Sequence, residues 1–152
     1  MEQKRKNLKL VSFVVLALGA LSLLNTIFEL FFGALDEAFK NTPIPEGITV
    51  DIILISKIFV LVLAVLLFLP QLYIGIKGMK IAKNPDTSKG HIVWGIILLV
   101  LSGFSLLSSG LALFQSGADL FAGISELCSM IVDFCFLVQF VCLAREIRKE
   151  LL

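Results

Sequence analysis

The sequence predicts an all-α membrane protein, a bundle of four transmembrane helices, and three observations carry that expectation. Four apolar runs, about residues 10–35, 52–76, 92–114 and 120–144, each supply the roughly 20 helical residues needed to cross a hydrocarbon layer about 30 Å thick. Apolar residues make up 58% of the 152-residue chain, and mean hydropathy is +0.99. That leaves no stretch for a soluble domain, so residues 1–152 read as one transmembrane domain. The charges are sorted by position. Of the 13 basic residues, only Lys40 and Lys57 stand apart from the groups before the first run, between the second and third, and after the fourth. The positive-inside rule then expects both termini and the loop at 77–91 in the cytoplasm, with the loop at 36–51 outside, in a multi-pass protein of the cell membrane.

The first run follows Lys4, Arg5, Lys6 and Lys9. A basic stretch ahead of an apolar one also opens a secretory signal. Here the apolar run continues through Phe28, Leu30, Phe31 and Phe32 with no polar cleavage region, so an uncleaved span is expected. Wound as a helix, Ser12, Gly19, Ser22, Thr26, Glu29 and Gly33 share one side, the kind of small and polar row that lets backbones approach in lipid. In the connection at 36–51, Pro43, Pro45 and Gly47 break helix and favour an exposed turn. In the second run Lys57, Ala64 and Gln71 recur every seven residues, the spacing of left-handed crossings. Pro70 is expected to kink this helix near its inner end.

The loop at 77–91 carries Asn84-Pro85, which opens a turn, and Asp86, Thr87 or Ser88 is expected to cap the next helix. The third run offers Gly95, Ser102, Gly103, Ser105, Ser108, Ser109 and Gly110 as its contact row. Trp94 at its start and Tyr73 near the end of the second run are placed as interfacial anchors. Only a few residues around Ser116-Gly117 separate runs three and four, which predicts a tight hairpin. In the fourth run, Gly123, Leu127, Met130, Ile131, Phe134, Val138 and Val141 fall on one side, expected to meet lipid. Ser125, Glu126, Cys128, Ser129, Asp133, Cys135, Gln139 and Cys142 fall on the other, expected to meet neighbouring helices.

The halves read as copies. Shifted by 83 residues, Leu18, Ser22, Leu23, Leu24, Leu30, Phe31 and Asp36 match Leu101, Ser105, Leu106, Leu107, Leu113, Phe114 and Asp119. A tandem repeat of two helical hairpins about an axis along the membrane normal is one reading; chance matching between leucine-rich helices is the other.

Ionisable residues inside the bilayer are the functional pointers. Counted from the middles of their runs at about 1.5 Å per residue, Glu29 and Lys57 come within a few ångströms of equal depth. An unpaired charge costs about 2.5–3.5 kcal/mol at a helix centre, so pairing them is favoured. Glu126 lies at similar depth. Asp133, nearest the midplane, has no cation at its level and is expected either to be protonated or to bond Gln139 or the serines of the third run. Glu29, Lys57, Glu126, Asp133 and Gln139 are thus the candidate intramembrane polar network, either a structural one or an ion or proton path. At the inner surface Lys77, Lys80, Lys83 and Lys89 are the candidate contacts for anionic lipid head groups, at about 1 kcal/mol per charge.

No chemistry of its own is expected. Cys128, Cys135 and Cys142 repeat every seven residues, about 10 Å apart, too far for a disulfide within the chain. With no CxxC and His91 alone at the cytoplasmic edge, no metal site, cofactor or nucleophile–base pair is predicted. No catalytic residue is named, and no nucleic-acid partner is expected.

The stretch Tyr73-Ile74-Gly75-Ile76-Lys77-Gly78-Met79-Lys80-Ile81-Ala82-Lys83-Asn84-Pro85, continuing to His91-Ile92-Val93-Trp94-Gly95, resembles the inner loop of uncharacterised small four-span membrane proteins of Gram-positive bacteria. That resemblance implies a bacterial plasma membrane and no particular activity. Glu29 and Trp94 are similar to the acid of the first span and the tryptophan of the third in small multidrug-resistance transporters. The long outer loop, the one-sided charge and the depth of Glu29 depart from that family. The longer first outer loop resembles that of claudin-like tetraspan proteins, without their cysteine pair or tryptophan. Two roles stay open. One is a structural or accessory subunit working through helix–helix contacts with another membrane protein or with itself. The other is a small transporter or channel-like protein using Glu29, Lys57, Glu126 and Asp133.

Overall fold

The computed structural model describes the backbone of residues 2–32, 50–85, 87–116 and 120–152, and the side chains of these apart from 50–53, 112–116, 120–122, 125 and 126. Four helices account for nearly all of it: α1 (Glu2–Phe32), α2 (Val50–Lys83), α3 (Gly90–Ser116) and α4 (Leu120–Leu151). Each is long and apolar enough to cross a membrane. The expected outer loop and the turn at Gly117 lie outside the described residues.

Two helix limits differ from expectation, and both have a local cause. The inner loop is not 77–91. α2 runs on through Lys77, Lys80 and Lys83, and the connection shrinks to residues 84–89. Residues 77–83 are mostly good helix formers, and Lys80 and Lys83 in the last turn complement the negative end of the helix dipole. Pro85 disfavours helical geometry at Asn84, and the Asn84 N–H closes the last turn on the Lys80 carbonyl at 2.8 Å. The next helix opens one residue beyond the expected caps: the Lys89 carbonyl accepts from the N–H groups of Ile92 and Val93 at 3.0 and 3.1 Å.

The chain divides into two compact units, Met1–Leu18 with Pro70–Leu152, and Gly19–Leu69. In the first, segments of all four helices close around one core. Leu8, Val11 and Val15 come from α1, Ile74 and Ile81 from α2, Ile92 and Leu98 from α3, and Leu137, Phe140, Val141, Ala144 and Ile147 from α4. Phe140 is its centre and fully buried. Two glycines make room for it: a Cβ at Gly78 would lie 2.7 Å from the Phe140 ring, and one at Gly95 would lie 3.3 Å from it. Gly78 also abuts the Ser12 hydroxyl, and a Cβ at Gly75 would lie 2.9 Å from Leu16. Ser12 is itself buried and returns its proton to the Leu8 carbonyl at 2.6 Å, so its polarity is satisfied inside α1.

The second unit comprises the later part of α1 and the first part of α2. Here Leu24, Phe28, Phe32, Ile55 and Phe59 stand exposed, while Gly19 and Leu30 are buried. Phe28 and Phe32 stack along one face of α1 with ring centroids 5.3 Å apart. Thr26 donates to the Ser22 carbonyl at 3.0 Å, another bond internal to its helix.

The face assigned to α4 from sequence is corrected. Cys128, Ser129, Cys135, Gln139 and Cys142 are exposed, and Val141, expected toward lipid, is buried beside Leu137 and Phe140. Phe134 also turns inward, against Gly103. Shape decides the outcome. A large ring filling two glycine hollows gains more contact than a thiol on the same helix could offer. On α3 the expected row is half right: Gly95 is buried and Gly103 packs on Phe134, whereas Ser105 and Ser108 are exposed.

Candidate anionic-lipid surface and intramembrane polar residues

The last turns of α2 gather the basic residues that the sequence singled out. Lys77, Lys80 and Lys83 line a hollow of about 580 Å³ together with Ile81, Asn84 and Pro85. Steps of three residues turn successive side chains by about 300°, so the three ammonium groups spiral along one flank of the helix rather than pointing apart. Lys89, the fourth predicted contact, is exposed on the connection and is not part of this lining.

The surroundings of the hollow are built by residues that sequence reasoning passed over. Arg5 on α1 donates from Nε to the Ala82 carbonyl at 2.9 Å and from its terminal nitrogen to the Lys83 carbonyl. Two of the orphan carbonyls at the end of α2 are thereby satisfied by a cation. Arg148 on α4 donates to the Thr87 carbonyl at 3.2 Å and ties the connection down. Lys4 bridges Glu146 at 3.0 Å and Glu150 at 2.7 Å, one turn apart on α4. Its hydrogen bond with Glu150, seconded by that with Glu146, raises the Lys4 pKa, and the same hydrogen bond lowers that of Glu150. Lys6 pairs with Glu2 along α1 at 2.9 Å. The i,i+4 acids Glu146 and Glu150 were the available signal that α4 ends on a basic partner. Two of this region's acids are thus engaged by Lys4.

His91 stands in the first turn of α3. It is buried, with its ring edge-on to Phe140 at 6.3 Å and 85°, because the first turn of α3 faces the core. Tyr73 and Trp94, the expected anchors, are both exposed, and the Tyr73 hydroxyl would meet a Cβ at Gly90 at 3.0 Å.

The residues proposed as one polar network fall in both units. In the Gly19–Leu69 unit, Glu29 is exposed and accepts a hydrogen bond from Asn25, one turn back on its own helix, at 2.7 Å, and Lys57 is half-buried. The Glu126 side chain lies outside the described residues. In the other unit Asp133 is half-buried, and its Oδ1 is shielded without a hydrogen-bond partner among the described residues, so neither Gln139 nor the α3 serines reach that oxygen. Gln139 instead faces a second hollow, about 490 Å³, lined by Asn7, Leu10, Val11, Cys142 and Leu143. The three lysines are brought together at the end of α2. No family model, no curated protein and no solved structure matches the chain.

Proposed function

We propose that the chain is a multi-pass protein of a bacterial cell membrane, with both termini and the 84–89 connection cytoplasmic, serving as a structural or accessory subunit. It works through helix faces toward another membrane protein or a second copy, and through its basic end toward anionic head groups. One observation carries this reading: the core around Phe140 is filled by side chains from all four helices, while large apolar side chains such as Phe13, Phe59, Phe104 and Leu107 stand exposed along the helices. A plugged basic end with oily flanks suits contact with lipid and other helices better than a polar path. The Asp133 Oδ1, without a hydrogen-bond partner among the described residues, favours the alternative, a small transporter or channel-like protein.

Reconstituted vesicles separate the two readings. The accessory role expects no proton or cationic-dye flux above protein-free vesicles, together with a defined membrane protein crosslinked to the chain in native membranes. A flux that disappears in Glu29→Gln or Asp133→Asn would establish the transporter instead. Orientation is read independently by placing single cysteines at positions 45 and 87 in a background without Cys128, Cys135 and Cys142. An impermeant thiol reagent applied from outside should label position 45 only.

A further inference from the structure

We propose that the hollow at the end of α2 is a seat for one phosphate-bearing head group of an anionic membrane lipid, rather than part of a diffuse positive surface. The inference deepens the proposed function and rests on its placement of the basic end at a membrane surface.

Three features of the hollow point to a phosphate ester. Its volume of about 580 Å³ falls within the range of ordinary ligand sites, about 300–1,000 Å³. Its described polar lining is three lysines and one asparagine amide, groups that donate to phosphate oxygens. The carbonyls that end α2 would repel an anion, but Arg5 occupies those of Ala82 and Lys83. A positive charge is thus already fixed behind the seat.

Depth selects a lipid over a dissolved anion. Tyr73 is exposed one turn before Lys77 on the same face of α2, the position of an interfacial anchor. At about 1.5 Å per residue Lys77 lies about 6 Å beyond Tyr73 and Lys80 about 10 Å, spanning a head-group layer of roughly 5–8 Å. Lys83 lies further out and reaches back along its flexible stem. Ile81 and Pro85 give the seat an apolar wall on which a glycerol backbone can rest.

The test is native mass spectrometry of the purified full chain after exchange into mixed micelles of phosphatidylcholine and phosphatidylglycerol, with inorganic phosphate as a soluble competitor. One phosphatidylglycerol should be retained per chain. Lys80→Gln with Lys83→Gln should weaken that retention about 10-fold or more, and Lys80→Arg with Lys83→Arg should restore it. Lys6→Gln with Lys9→Gln removes the same charge elsewhere and should leave retention within about 2-fold. Equal loss in both double variants would reduce the site to diffuse attraction and overturn the proposal. So would displacement of the lipid by millimolar inorganic phosphate, which would mean a seat for the free anion. Circular dichroism confirms that each variant is folded. Membrane sedimentation of the same variants reads the underlying assignment separately: a chain that stays with membranes yet retains no lipid fails only the seat, and one that leaves membranes fails the assignment itself.

Discussion

The two compact units are built from equally oily helices and are held in different ways. In Met1–Leu18 with Pro70–Leu152, glycines receive a ring and a hydroxyl, and arginines and a lysine tie one helix to the next. In Gly19–Leu69 Asn25 and Thr26 bond within α1, and most large apolar side chains are exposed. Hydropathy does not separate them, since the apolar stretch of α2 is the most apolar of the four and the least buried. Lipid solvates a leucine as well as a neighbouring helix does, so apolarity alone gives no reason to pack. Hollows that side chains fit, and polar bonds between helices, supply the reason.

Deleting the central ring tests this contrast most severely. Phe140→Ala should leave a cavity between Gly78, Gly95 and Ser12 and cost about 3 kcal/mol, at the low end for a buried phenylalanine because the reference solvent is lipid. Phe59→Ala, on the exposed flank of α2, should stay within about 0.5 kcal/mol. Thermal unfolding in one detergent reads both. Equal losses would mean that Phe59 is also packed and that the distinction between the units is false.

A smaller effect is expected from filling the hollow instead of emptying it. Gly78→Ala forces its methyl group onto the Phe140 ring and the Ser12 hydroxyl, a strain of about 1–3 kcal/mol. Gly110→Ala, with nothing within 4 Å of its Cβ, should be neutral or slightly stabilising. Because Ser12 is one of the two obstacles, Ser12→Ala combined with Gly78→Ala should recover part of the loss. Additive losses in that pair would show that Ser12 and Gly78 do not share a contact.

The same contrast marks what could be read from sequence. The four helices came through from run length alone, because a bilayer's thickness is a constraint that each segment meets by itself. The lysines were singled out by charge within an expected loop at 77–91, and that Lys77, Lys80 and Lys83 share the end of one helix was not legible. Nor was the inward face of α4. Its cysteines and serines repeat at heptad spacing and look like a contact row, but the residue that fits inside is Phe140, and the hollows receiving it belong to α2 and α3. Burial of His91 follows from the same ring. Local periodicity carries information about one helix, whereas a knob and its hole are written in different ones. Arg5 was missed for a related reason: it reads as an orientation signal, and its bonds to Ala82 and Lys83 depend on where another helix ends.

The mildest perturbation acts on the charges that join α1 to α4. Glu150, whose pKa is held below its ordinary 4.5 by the hydrogen bond from Lys4, adds stability that is present above that value and lost as pH falls through the lowered one. Lys4, raised above its ordinary 10.5 by the same partner and by Glu146, adds stability present below that value and lost only as pH rises through the raised one. Between these limits the clasp is intact, so Glu150→Gln should lower Tm slightly at pH 7, and the difference from the parent should close as pH falls through the lowered Glu150 value. High salt should narrow it at neutral pH as well, because the groups are exposed and screened. In the Gly19–Leu69 unit, Thr26→Ala, which removes a bond from a hydroxyl to the Ser22 carbonyl within α1, should show no such closure with pH. A Glu150→Gln decrement equal at pH 7 and pH 3 would mean that the carboxylate contributes by packing, and the two units would then differ in shape alone.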